Sequence, residues 1–159
     1  MPTVESNTVE ICLFRFRRDR PEYLLLKRSS DEPLYPGMWQ IVTGSVRAGE
    51  KGLEAAFREV MEETALQPQH FWIVPFINGF YDSARDVVSF VPSFAGQVRT
   101  KDDPVLSEEH DGFEWFSREH AVRRLVWPGQ KRLLEIVDDS IVGGEIAGLL
   151  TRVPPESIP

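Results

Sequence analysis

A single cysteine among 159 residues excludes an internal disulfide, and the apolar surroundings of Cys12 in EICLFRF mark it as a buried, inert thiol. A surplus of basic residues is also missing. With 18 Lys and Arg against 25 Asp and Glu, the formal net charge is -7 and the pI is about 5.0. That balance argues against a surface for a nucleic-acid polymer, because neutralising many phosphates needs clustered cations. A small phosphorylated ligand stays open, since a bound metal reverses the local charge. No stretch approaches the roughly 20 apolar residues needed to span a bilayer, so no membrane association is expected. The N-terminal region lacks a basic start followed by an apolar run, and Glu5 and Glu10 interrupt the place a signal sequence would take. A cytoplasmic location is therefore the default expectation.

With 42% hydrophobic residues, the chain can build one well-buried core and is too short for two ordinary domains. We read 1–159 as one domain, with 139–159 as a C-terminal extension that is either packed or partly disordered. TVEICLFRFR and EYLLLKR read as strands joined at RDRP, a hairpin. SSDEPLYPG is a loop, and MWQIVTG a β-branched and aromatic strand. FWIVPFINGFY and VVSFVPSFAGQV form a further pair around DSARD, and the proline in each favours an edge or a bulge. GFEWFS is a short strand. REHAVRRL, capped by Ser117, and GQKRLLEIVDD read as helices. Strands interleaved with helices predict a layered α/β domain.

The stretch from Lys51 to Thr64 is the most informative. At 100° per residue, Leu53, Ala56, Phe57 and Val60 form one apolar stripe facing the core. Glu59, Glu62 and Glu63 fall on an adjacent arc, with the small Ala55 one turn earlier leaving room for an ion. Clustered like charges on a helix repel, so something must offset them. A hard divalent cation, Mg2+ or Mn2+, suits carboxylate oxygens and keeps water and substrate phosphates in its shell. Arg58, spaced i, i+4 from both Glu54 and Glu62, is placed to hold carboxylates. The plainer alternative is a solvated acidic face with a routine Arg58–Glu62 surface pair.

From Gly44 onward the pattern is G-x5-E-x7-R-E-U-x-E-E-x-A-U, U being aliphatic, with Gly44, Glu50, Arg58, Glu59, Val60, Glu62, Glu63, Ala65 and Leu66 at the named places. This resembles the Nudix hydrolase signature at every fixed position but one. Ala65 stands where the family usually has glycine, and if the backbone there is left-handed, alanine costs on the order of 1 kcal/mol. The resemblance implies a Nudix-type α/β/α sandwich with a mixed sheet, and hydrolysis of a phosphoanhydride in a small phosphorylated substrate. By matched position it makes Glu59 and Glu63 the principal metal ligands and Glu62 a further ligand or acid–base residue. Arg58 orients the carboxylates and Glu50 supports the loop. Family members often recruit one more glutamate from outside the signature as ligand or base. Here Glu109 of SEEHDGFEWF is the choice, with Glu108 and Glu114 as runners-up and surface solvation as the plain alternative for each.

WQIVTGSV, LLLKR, EEHDGFEWF and Trp127 of VWPGQKRLLE look most similar to the bacterial dihydroneopterin triphosphate pyrophosphatase branch. That alignment gives Arg28 a phosphate-binding role and lets Thr43 line the pocket beside Gly44. Phe80, Tyr81 and Trp127 offer faces for stacking on a flat heterocycle, although packing on the protein itself is the simpler account of each. The basic N-terminal residues of that branch have no match in MPTVESNTVE. The expected reaction is metal-dependent cleavage of dihydroneopterin triphosphate to the monophosphate and pyrophosphate. The alternatives are a pyrophosphatase of (d)NTPs or oxidised nucleotides, and a non-catalytic Nudix-fold sensor or scaffold. A homodimer is compatible with the sequence, but no segment demands one.

Overall fold

A computed structural model describes residues 1–159. Its strands are β1 (Thr3–Glu5), β2 (Thr8–Arg17), β3 (Arg20–Arg28), β4 (Trp39–Gln40), β5 (Val42–Ser45), β6 (His70–Asp82), β7 (Val87–Gln97) and β8 (His110–Phe116). The α-helices are α1 (Gly52–Thr64), α2 (Arg118–Arg124), α3 (Pro128–Ile136) and α4 (Ile146–Leu150). A π-helical turn (Val137–Val142) follows α3, and a 3-10 turn (Pro155–Ser157) lies near the C-terminus. No helix is long and apolar enough to cross a membrane.

All eight strands belong to one mixed sheet. β2 runs parallel to β7 and antiparallel to β3, while β6 lies antiparallel along β7 and β8 along β3. Alternation along the strands gives the sheet two apolar faces. Val9, Ile11 and Leu13 pack with Ala55, Ala56, Phe57 and Val60 of α1 on one face. Cys12 and Phe14 pack with Ala121, Leu125, Leu133, Leu134 and Val137 from α2, α3 and the π turn on the other. The result is the α/β/α sandwich.

The β2–β3 hairpin turns through Arg18 and Asp19, both at positive φ, and its strands pair directly only from Phe14 and Tyr23 to the turn. Beyond that point they diverge. MWQIVTG was expected as one strand; it is two, because it fills this V from both sides. Trp39–Gln40 pairs with β3 and Val42–Ser45 pairs with β2, with buried Ile41 at the break.

Pro75 of the edge strand β6 lies within the register shift between Val74 and Ile77. Pro92 sits in an interior strand, which its missing N–H should forbid. It is tolerated because the parallel ladder of β7 is interrupted there, β1 pairing with Val87–Ser89 and β2 with Ser93–Gln97. The C-terminal segment returns to the sheet. The Val153 N–H donates to the Phe71 carbonyl, and the Val153 side chain is buried in the α1-side core.

Ala65 ends α1 at φ 55°, ψ 12°, the left-handed backbone that glycine adopts freely and alanine resists. Because its side chain is exposed, little packing is lost with the methyl group. Ala65→Gly is expected to stabilise the chain by up to about 1 kcal/mol in chemical denaturation.

Candidate metal and substrate site

Arg58 organises the loop between β5 and α1. Its Nε and Nη2 donate to the two Glu50 carboxylate oxygens at 2.8 and 2.9 Å, and Nη2 also donates to the Ser45 carbonyl at 2.7 Å. Nη1 donates to Glu59 at 2.7 Å and Glu62 at 3.0 Å. All five guanidinium N–H groups are thereby used. Glu50 also accepts the Arg47 N–H at 2.9 Å, and these bonds hold its carboxyl down to about 2, Arg58 contributing most. The expected Arg58–Glu54 contact does not form. Glu54 instead accepts the Lys51 N–H at 3.0 Å, because an unpaired donor at a helix start competes well for a nearby carboxylate.

Glu59 lies against Gly44 so closely that a Cβ on residue 44 would stand 1.9 Å from the Glu59 Cδ. Glu63, one turn on, is 3% exposed, and its Oε2 has no hydrogen-bond partner. Ala55, expected to leave space beside the acids, is fully buried in the core. The room is at Gly44.

The segment before β8 docks on the last turn of α1. The Val105 N–H donates to the Thr64 carbonyl at 2.8 Å and the Ser107 N–H to the Glu63 carbonyl at 3.4 Å, satisfying groups that the helix end leaves open. This docking brings Glu109 within electrostatic reach of Glu59 and Glu63. Burial first, then Glu109 and Glu59, push the Glu63 carboxyl up to about 9, against a smaller opposing effect of Arg28. The Glu59 carboxyl is also raised, mainly by burial. Glu108 exerts no comparable influence. Glu114 shares the face of Phe116, on the opposite side of the sheet from α1.

Glu62 is the half-exposed member of the cluster, at 48%, and also accepts from Arg47 at 2.9 Å. Arg28 is tied by its Nε to the Leu34 carbonyl at 2.8 Å and by Nη2 to Glu32 at 3.1 Å. In this arrangement no three acidic, histidine or cysteine side chains already converge on one point, and Arg58 holds Glu59 and Glu62 to itself. The donor set nonetheless fits a hard divalent cation. A buried carboxyl with an orphaned oxygen, two neighbouring carboxylates and a gap kept clear by glycine suit an ion that can replace the proton on Glu63.

The sheet's other face holds a second polar group that the sequence reading missed. Partners across an antiparallel pair share a face, so Gly44 and Val9 face α1, whereas Thr43 and Glu10 face α3. Glu10 is 2% exposed. Its Oε1 accepts from the Ser93 hydroxyl at 3.0 Å, and its Oε2 accepts a long bond from the Asn78 amide at 3.4 Å. Burial lifts its carboxyl to about 7, opposed by these two bonds. Nearby, Gly129 at the start of α3 lies so close to Asn78 that a Cβ would stand 2.1 Å from Oδ1. Trp127, just before, meets the Tyr35 ring edge-on at 5.2 Å. Phe80, two residues beyond Asn78, faces the same way. Tyr81 does not. It points to the opposite face and its hydroxyl donates to Asp86 at 2.9 Å, so Phe80 and Tyr81 do not converge on one ligand. Two open polar depressions of about 580 and 560 Å3 lie elsewhere, around Gln67 and Arg99 and around His120 and Arg123.

A profile described as NUDIX domain matches residues 6–137. An octanoyltransferase of Myxococcus xanthus is 33% identical over 135 residues, which is 80% of this chain and 35% of that protein, so the chain spans about a third of its length. The nucleoside triphosphatase NudI of Enterobacter sp. (strain 638) is 28% identical over 104 residues, 61% of this chain and 74% of that one. A dihydroneopterin triphosphate diphosphatase of Escherichia coli K12 is 40% identical over 63 residues, 40% of this chain and 39% of that one. The crystal structure of a C. elegans Ap4A hydrolase binary complex superposes with a TM-score of 0.72 at 24% identity, covering 87% of this chain and 99% of that chain. That likeness shows the fold.

Two outcomes are expected from this geometry. Gly44→Ala forces Glu59 aside and is expected to lower kcat about a hundredfold with the far-UV circular dichroism unchanged. Because the Glu10 carboxyl is raised from 4.5 to about 7 on folding, the folded state binds more protons in that window, and wild-type stability falls there as pH rises. The stability of Glu10→Gln relative to wild type should therefore grow from pH 4.5 to 7 in denaturant titrations; a constant difference would contradict the assignment.

Proposed function

The chain belongs to the NUDIX domain family, and from that premise we propose a divalent-metal-dependent pyrophosphohydrolase of small triphosphates. The observation that carries this reading is the unpartnered, buried Glu63 carboxyl beside Glu59 and Glu109, on the helix that Arg58 fixes to Glu50 and Ser45. Glu59 and Glu63 would hold the cation from α1, and Glu109 from the opposing segment. Mg2+ or Mn2+ suits these oxygen donors. When bound, such an ion withdraws charge from phosphate oxygens and lowers the pKa of a coordinated water. The remaining work belongs to side chains of the chain. Arg58 keeps Glu59 turned toward Gly44, and Arg28 faces the same acids as a cation available to a phosphate. Glu62, half in solvent, would accept a proton and pass it to water.

For the substrate we propose dihydroneopterin triphosphate, cleaved to the monophosphate and pyrophosphate. The 40% identity to the E. coli diphosphatase over 63 residues supports it. The second reading, a (d)NTP pyrophosphatase, has its own support in the longer match to NudI. A homodimer and a cytoplasmic setting accompany both readings as proposals.

Pyrophosphate release from dihydroneopterin triphosphate and a (d)NTP panel, with Mg2+ and with Mn2+, decides between them. The first reading expects the pterin substrate to have the highest kcat/KM; equal or better turnover of nucleotides rejects it. Glu59→Gln and Glu63→Gln are each expected to lower kcat at least about a hundredfold. Absence of pyrophosphate release across the panel would favour a ligand-binding, non-catalytic domain.

A further inference from the structure

Glu10 is a buried acid on the sheet face opposite the acidic helix, yet its β5 partner Thr43 directly precedes Gly44, the residue against which Glu59 rests. The V between β2 and β3 therefore places two polar centres at adjacent positions of one short strand. One is built for a cation and phosphates. The other offers a carboxylate of incompletely used capacity. Each carboxylate oxygen can accept two hydrogen bonds, while Oε1 has Ser93 alone and Oε2 has only the long bond from Asn78. Asn78 is half-buried and can yield to a better donor. On the same side, Gln130 belongs to the sheet-facing stripe of α3 with Leu133 and Leu134, is 5% exposed, and has an unpartnered Oε1. Phe80, on the same face of β6 as Asn78, and Trp127, which meets Tyr35 two residues before the Gly129 that abuts Asn78, carry exposed aromatic surface on this side. Unused acceptors below and aromatic faces at the rim suit a flat ring that presents N–H donors at its edge.

We propose that Glu10 is a specificity-determining residue: its carboxylate accepts the ring N–H and the adjacent exocyclic amine of a 2-amino-4-oxo heterocycle, the edge that guanine and a pterin share. This rests on the pyrophosphohydrolase reading for the phosphates and adds the ring. A two-acceptor carboxylate matches a two-donor edge and mismatches any ring with an acceptor at either place. A site built to pair a donor rejects the analogue lacking it, because the acceptor is left unpaired and dry.

GTP and ITP test this most directly, as they differ only in the exocyclic amine. Wild type is expected to favour GTP over ITP in kcat/KM by about tenfold or more, and Glu10→Gln, which offers one acceptor and one donor, to bring that ratio within about twofold of unity. A role of Glu10 in tying β2 to β7 alone would lower both rates together and leave the ratio unmoved. A wild-type ratio near unity, or an unchanged ratio in Glu10→Gln, overturns the proposal. Should Glu10→Gln fail to fold, Ser93→Ala, which removes the hydrogen bond that orients Oε1, is expected to lower the ratio several-fold, and an unchanged ratio there overturns it equally. Adding dihydroneopterin triphosphate to the series tells the pterin from the purine source of the edge. If no triphosphate is hydrolysed, the pyrophosphohydrolase reading fails separately. Calorimetric binding of GMP against IMP in EDTA then decides the ring assignment, tighter GMP binding supporting it and equal affinities rejecting it.

Discussion

Burying carboxylates of like charge beside one another is the constraint on which this molecule is arranged. Glu59 and Glu63 lie one turn apart on α1, both shielded from water, and Glu109 is brought toward them from a segment docked on the helix end. Left alone, such a group holds its proton, as the upward displacement of Glu63 shows. Only one nearby cation, Arg58, is fully committed to the cluster. Its five N–H groups are divided among the Ser45 carbonyl, Glu50, Glu59 and Glu62, so it fixes the geometry without reaching Glu63. The unmet requirement for positive charge at Glu63 is what a divalent ion would satisfy.

The sheet serves that cluster by opening. Where β2 and β3 diverge, Trp39–Ser45 enters between them and joins one strand on each side. Residues at the strand ends thus face α1 and α3 alternately over a few ångströms of chain. Gly44 on one side admits Glu59, and Thr43 on the other stands beside Glu10. The proposed phosphate and ring sites therefore meet at Thr43 and Gly44 of β5, one on each face of the sheet.

Much of this is legible in the chain itself. The apolar stripe of α1, the spacing of its three glutamates and the left-handed C-terminus implied by the Ala65 position follow from local periodicity and cap geometry, and all three appear in the structure. Glu109 was singled out by the resemblance of its segment to the family's, and the fold brings its charge within reach of Glu59 and Glu63. What failed depends on competing or distant partners. Glu54 is lost to the helix cap, a competition that i, i+4 spacing does not express. Tyr81 differs from Phe80 only in strand parity, whose assignment to a face depends on the Val74–Ile77 register shift. Glu10 looked like a mere interruption of an apolar run, yet its inward direction was readable from its alternation with Cys12 and Phe14. Its partners Asn78 and Ser93 come from strands more than 60 residues away, and no local pattern announces them.

Titration of the chain with Mn2+, followed by the loss of the free-ion electron paramagnetic resonance signal in the presence of a non-hydrolysable triphosphate, measures the central claim without relying on turnover. Wild type is expected to take up Mn2+ stoichiometrically, and Glu63→Gln to lose most of that uptake while keeping its fold. Uptake by Glu63→Gln equal to that of wild type would contradict the account.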